Sequence, residues 1–359
     1  MYKMLKKVVP VRFKLLISSV LNKEKVFLAG DKNAFVFLSA DYGNIGDLAI
    51  SAAQSNFITN QLADYTLINV PISKTRVCID SIKKQIKPND IVTIVGGGNM
   101  GVMYPDIEEL RQLVIRSFPN NRIVCFPQTL DWDESVKSDH AIQRIVKIYS
   151  KHPDIHIFTR ESITHTKLND LFSSYSNVNI GLVPDIVMSA TAQTLGAQES
   201  LEPAGILRCL RNDKESALSS AQYAALDEAL AGTGFEIIKT DTHAGGSQLG
   251  EAHCAILLAD KLTQFRSAKL VVTDRLHGMI LCLLAGTPCL VLPNSNHKIR
   301  QTWLDWLQHH TRLIFVEPAQ FDEIPNFINQ LLSEPRGALN ESPVDMSKYN
   351  LLKQVLTLK

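Results

Sequence analysis

The chain has 359 residues, 45% of them hydrophobic and 20% charged, with a formal net charge of +1. That balance describes a soluble globular chain with length for two domains, and it gives no basic surface that would draw the whole molecule to nucleic acid. The six cysteines, Cys78, Cys125, Cys209, Cys254, Cys282 and Cys289, show no CxxC pair or ligand-like spacing, which argues against structural zinc and for buried free thiols in a reducing cytosol.

Residues 1–25 form the charge-biased segment, with Lys3, Lys6, Lys7, Arg12, Lys14, Lys23 and Lys25 against Glu24 alone. Arg12 and Lys14 interrupt any apolar signal-peptide region, and the stretch is too polar to span a bilayer. A basic amphipathic helix resting on anionic lipid at the inner face of a membrane fits it. An ordinary solvated helix packed on a cytoplasmic domain fits it equally.

From there, strand and helix patterns alternate, the mark of a doubly wound α/β architecture. Ala34–Ser39 reads as a first strand and Asp47–Phe57 as its helix. Thr66–Val70, Ile91–Val95, Arg122–Phe126 and Ile155–Thr159 follow as strands, then a helix at Glu161–Leu171 and a strand at Val178–Val183. Thr191–Pro203, poor in large apolar residues, reads as a linker. A second unit runs through strands at Gly205–Arg208, Phe235–Thr240, Leu270–Thr273, Pro288–Leu292 and Arg312–Val316, and Met346–Leu358 reads as a closing helix. The expectation is two Rossmann-like domains facing one another across a cleft: residues 1–195, residues 204–345, and a tail at 346–359 crossing back to the first.

Polar clusters fall at the carboxyl ends of these strands, where open α/β sheets bind ligands. Asp41-Tyr-Gly-Asn-Ile-Gly-Asp47 follows the first strand; Asn44 can read hydroxyls, and Asp47 can cap the helix or act as a base. Its spacing is not the dinucleotide fingerprint. Gly96-Gly-Gly-Asn-Met-Gly101 has more glycine than a turn needs, so Gly97 and Gly98 suggest a ligand or a second backbone passing close, with Asn99 presented there. Gln128 and Arg160 sit just past the next two strand ends, and Pro184-Asp185 closes this half at the cleft mouth. In the second half Arg208 and Arg211 leave a strand together, with surface ion pairing favoured more for Arg211. His243 lies in a glycine-containing loop. The densest cluster is Asp274-Arg-Leu-His-Gly278, between the apolar strand Leu270–Thr273 and the apolar helix that Gly286 stops. A helix N-terminus there favours an anion. Arg275 adds a planar fork for phosphate or carboxylate and His277 a group that titrates near neutrality. An Arg–Asp pair capping the helix and a packing histidine are the plainer alternative.

With the GNIGD loop (Gly43–Asp47), the GGGN loop (Gly96–Asn99), the RES segment (Arg160–Ser162), Pro184-Asp185, DRLHG (Asp274–Gly278) and AGTP (Ala285–Pro288) running in this order, the chain resembles the polysaccharide pyruvyl transferase family. The resemblance covers roughly Phe35 to Trp306. It implies a fold like that of GT-B glycosyltransferases, with the first domain as acceptor side and the second as donor side. It also implies transfer of the pyruvyl group of phosphoenolpyruvate to a sugar of a surface or extracellular polysaccharide, forming a ketal. Arg275 and His277 would hold phosphoenolpyruvate, and Arg208 matches the family only loosely. The expected site is His277, Arg275 and Asp47 as catalytic residues, as acid, phosphate clamp and base. Asn44, Gly97, Gly98, Asn99, Gln128, Arg160, Arg208, His243, Asp274 and Gly278 would bind substrate. No metal and no cofactor are expected beyond the donor substrate, and the acceptor can be lipid-linked. A GT-B glycosyltransferase using a nucleotide sugar is the nearest rival, and a non-catalytic sugar- or anion-binding protein the next.

Overall fold

The computed structural model describes residues 24–26, 28, 30–199, 202–211 and 216–358. The basic segment 1–25 lies outside these except for Glu24 and Lys25, so its expected helix and membrane contact are not part of the description. Among the described residues no helix is long and apolar enough to cross a membrane.

Strands buried on both faces have little reason to alternate polar and apolar residues, and β1 (Asn33–Ser39), β4 (Ile91–Ile94) and β7 (Ile155–Thr159) are buried along their whole lengths. With β3 (Thr66–Pro71), β6 (Ile123–Asp131) and β8 (Val178–Leu182) they form a parallel sheet in the order β3-β1-β4-β6-β7-β8. The chain places β3 on one side of β1 and then β4 on the other, and this reversal of strand order opens a crevice between the carboxyl ends of β1 and β4. A register shift between Phe37 and Ser39, with Leu38 at φ 64, bends the end of β1 towards that crevice. Strand β6 runs past Phe126, where the apolar run ends. The ladder with β7 shifts between Cys125 and Gln128, spanning Pro127, which has no N–H to donate. Beyond that shift β6 pairs with β5 (Gly97–Gly101), so most of the glycine loop is a short strand.

The second sheet repeats the plan. Strands β9 (Ile206–Cys209), β10 (Ile237–Lys239), β12 (Leu270–Thr273), β13 (Cys289–Val291) and β14 (Leu313–Phe315) run parallel in the order β10-β9-β12-β13-β14, with its own crevice between β9 and β12. The two crevices are brought together by a small antiparallel ladder between β2 (Tyr42–Asn44) of the first half and β11 (His243–Ser247) of the second. At its centre Gly43 approaches Gly245 so closely that a Cβ on Gly43 would lie 1.8 Å from the Gly245 carbonyl oxygen, so a side chain there would part the strands. One hydrophobic core runs through both halves, from Phe35 and Ile50 to Met279 and Leu284. A second cluster, including Leu226, Leu290 and Ile328, packs the outer face of the second sheet. The carboxyl-terminal helix Asn350–Thr357 lies against the first half, where Tyr349 Oη donates to the Asp185 carbonyl at 2.7 Å and Arg122 Nη1 to the Leu358 carbonyl at 2.6 Å.

Candidate active site

Between the two crevices lies a cavity of about 270 Å³. Two helices begin at it. Helix α1 (Ile45–Gln61) follows β2, and α8 (Leu276–Leu284) follows β12. Asn44 caps α1: its Oδ1 accepts from Gly46 N at 3.0 Å and Asp47 N at 3.4 Å. The cap is therefore Asn44 rather than Asp47, and the oxygen expected to read hydroxyls is committed to the backbone. Asp47 instead accepts from Tyr42 Oη at 2.9 Å. Burial pushes its carboxyl up, against the opposing charges of His277 and Arg160 and the hydrogen bond from Tyr42. Burial together with the neighbouring Asp47 also pushes the Tyr42 hydroxyl up, which keeps it a donor.

The start of α8 has no such cap. Arg275 occupies the cap position without a side-chain bond to the first turn. Its guanidinium reaches Asp241 at 2.9 Å, while its Nε is buried and unpartnered. His277 stands over α1, so close that a Cβ on Gly46 would sit 2.4 Å from its Nδ1. Its Nε2 faces Asp185 Oδ2 at 3.4 Å, and Arg160 Nη1 donates to the same oxygen at 2.8 Å. Burial opposes ionisation of Asp185, yet the hydrogen bond and charge of His277 and the charge of Arg160 hold the carboxyl well below the ordinary range. An ionised carboxylate only accepts, which assigns a ring proton of His277 to Nε2.

Of the residues the sequence singled out, the cavity brings together Asn44, Asp47, Gly98, Asn99, Arg160, Arg275 and His277. Gly98 is where Arg160 passes, since a Cβ there would lie 2.8 Å from Arg160 Nη2. Asn99 Oδ1 accepts from Arg111 Nη2, which leaves its amide nitrogen for the cavity that Asn99 lines. The other expected binding residues are placed elsewhere. Gln128 is fully buried, donating to the Val95 carbonyl at 2.5 Å. Gly97 is required by its backbone, at φ 126, and Gly278 by packing, since its Cβ would meet Thr273 Oγ1 at 2.4 Å. Asp274 is fully buried behind the site, where its Oδ1 accepts from Arg211 N at 2.8 Å. His243 is exposed on the β2–β11 ladder. Arg208 turns to Asp227 at 3.0 Å and lies over the Tyr223 ring, while Arg211 lines the cavity. Surface pairing thus holds for Arg208, where the sequence favoured it less, while Arg211, its backbone N held by Asp274, reaches the cavity wall.

Several members of the lining carry no motif in the sequence. Tyr42, Tyr104 and Ile107 come from the first half, Asn294 and Asn296 from the loop after β13, and Lys298 from the start of the helix that follows. Asn294-Ser-Asn-His is a polar run after a buried strand, whereas Lys298 has no local signal. In the sequence Asp185 stands out only as part of the Pro184-Asp185 pair. The walls differ in character. The wall from Tyr42 to Ile107 is neutral and aromatic apart from Asp47, and Arg211, Arg275, His277 and Lys298 give the other its basic charge.

A family model described as polysaccharide pyruvyl transferase matches residues 44–296, which spans the cavity from Asn44 to Asn296. General stress protein 30 of Bacillus subtilis is 31% identical over 330 residues, 91% of this chain and 92% of that protein. Pyruvyl transferase 1 of Schizosaccharomyces pombe is 27% identical over 310 residues, 78% and 72% of the two chains. Among solved structures, the UDP-GlcNAc 2-epimerase of Methanocaldococcus jannaschii superposes with a TM-score of 0.50 at 14% identity, covering 91% of this chain and 99% of its own. That last likeness concerns the fold alone, a GT-B-like pairing of two α/β halves.

Proposed function

The chain belongs to the polysaccharide pyruvyl transferase family, and on that premise we propose that it transfers the pyruvyl group of phosphoenolpyruvate to a glycan sugar as a cyclic ketal. The observation that carries the reading is the uncapped start of α8, flanked by Arg275 and His277 and faced by Arg160, Arg211 and Lys298. Phosphoenolpyruvate presents a phosphate and a carboxylate, and bare helix amides with arginine forks suit both. The scheme draws charge neutralisation from these side chains rather than from a metal ion.

In this reading His277 donates a proton to C3 of the enol, and positive charge develops at C2. A sugar hydroxyl attacks C2 while Asp47, whose raised pKa makes it the better base, takes the hydroxyl proton. The C2–O bond to phosphate breaks, with Arg275 and the α8 amides holding the leaving group. A second hydroxyl of the same sugar then adds to C2 and closes the ring, its proton restoring His277 while Asp47 passes its own to the departing phosphate. The products are the ketal and inorganic phosphate. The neutral wall of Tyr42, Asn99, Tyr104 and Ile107 supplies the amide and aromatic surface for the acceptor, lipid-linked or free. The test is to incubate the protein with phosphoenolpyruvate and a panel of glycan acceptors and follow phosphate release. Acceptor-dependent phosphate with a new ketal methyl signal supports the reading. Turnover with a nucleotide sugar instead, or binding without turnover, would replace it.

A further inference from the structure

The RES segment puts Arg160 in the cavity, but Glu161 and Ser162 have no part in the scheme above. They face the second half. After Lys298, which lines the cavity, the chain forms a short helix (Lys298–Thr302) that passes into a π-helical turn (Trp303–Leu307). This element reaches across and holds the RES backbone. Asp305 Oδ2 accepts from Ser162 N at 2.7 Å and Oδ1 from Ser162 Oγ at 2.9 Å. Gln301 Nε2 donates to both Ser162 Oγ and Asp305 Oδ1 at 2.8 Å. Trp306 Nε1 donates to the carbonyl of Arg160 itself at 2.9 Å. At the other end of the element His297 stands 3.7 Å from the buried Glu161 carboxylate and packs on Trp132.

A carboxylate from one half thus occupies the N-terminus of a helix in the other, α5 (Ser162–Phe172), the end its dipole favours. An indole from the same turn fixes the backbone that aims a cavity guanidinium. π-turns break the regular ladder and recur at functional positions; here the turn brings Asp305 and Trp306 to Ser162 and Arg160 at once.

We propose that Asp305 and Trp306 are positioning residues that align Arg160 for the anionic donor, coupling the contact between the two halves to the anion site through the RES backbone. Docking of the turn then sets two cations together, Lys298 at the start of the element and Arg160 beyond its end. The inference rests on the donor reading only for its probe.

Trp306→Phe keeps the ring and removes the single donor. Calorimetric titration with phosphoenolpyruvate, and in parallel with inorganic phosphate, should show binding about tenfold weaker, on the scale of one lost hydrogen bond. Trp303→Phe is the control: Trp303 stacks on Phe315 within the second half and its Nε1 has no hydrogen-bond partner among the described residues, so its affinity should match wild type. In an Arg160→Lys background Trp306→Phe should cause no further loss, because it acts through Arg160. If Arg160→Lys does not fold, Asp305→Asn supplies the second arm and should weaken binding to a similar degree. Unchanged affinity in folded Trp306→Phe, or full additivity with Arg160→Lys, would overturn the assignment. A wild type that binds phosphate but not phosphoenolpyruvate would sink the donor reading and leave this one to be decided on phosphate. Binding of neither anion would sink both.

Discussion

Two helices start at the same cavity, each after a buried parallel strand and a polar cluster, yet they are finished differently. Helix α1 is capped by Asn44 and carries an acid, Asp47, in its first turn. Helix α8 has no side-chain cap and no acid there, and has Arg275 and His277 instead. Both N-termini have the same dipole. On α1 the positive end is already spent on a protein carboxyl and amide, whereas on α8 it is left for a ligand. A strand-to-helix junction at a sheet switch point is therefore only a location, and the cap decides whether an anion is welcome.

Changing the α8 side should have the largest effects. His277→Gln keeps a hydrogen-bond donor and removes the transferable proton, so turnover should drop roughly 10²–10⁴-fold, the usual worth of a general acid. Phosphoenolpyruvate binding, seen by calorimetry, should survive. Binding lost together with turnover would make His277 a substrate clamp. Arg275→Lys keeps the charge but loses the fork, and should lower kcat/KM for phosphoenolpyruvate by about 2–3 kcal/mol, the range for a charged hydrogen-bonding group. Near-wild-type kinetics would leave Arg275 only its pairing with Asp241.

On the α1 side the two expected effects have opposite signs for stability. Burial raises the Asp47 pKa, so the folded chain binds that proton more tightly than the unfolded one. Stability from this group is present below the ordinary carboxylate range and is lost as pH rises through the raised value. Asp47→Asn should therefore melt higher than wild type at neutral pH, with the difference shrinking in acid, while losing most activity. A lower melting temperature at pH 7 would contradict the buried-acid account. Asn44→Ala removes the cap and should cost about 1 kcal/mol in urea denaturation. A cost near zero would mean that α1 and α8 are not distinguished by capping after all.

Much of this site could be read from sequence because its pieces are local. The apolar run Leu270–Thr273 is the strand it appeared to be, and DRLHG sits at its end for the reason an alternating α/β pattern gives. Direction was harder. Arg208 and Arg211 are three positions apart, and which one enters the cavity depends on where β9 ends and on the Asp274 carboxylate that catches Arg211 N. Long-range partners were out of reach. Asp185 meets His277 across 92 positions and Ser162 meets Asp305 across 143, and no periodicity encodes either meeting. Gly97, Gln128 and Gly278 stood out because glycine and amide residues at strand ends are conspicuous, but the structure uses them for backbone shape and packing.

The step on which the account turns is protonation of the enol carbon, and it leaves an isotopic record. The reaction is run in D₂O with phosphoenolpyruvate and a glycan acceptor, and the product methyl group is examined by mass spectrometry and proton NMR. The account predicts a ketal methyl carrying one deuterium, with one inorganic phosphate released for each ketal formed. A product that keeps the vinyl CH₂, or a methyl without deuterium, would contradict it.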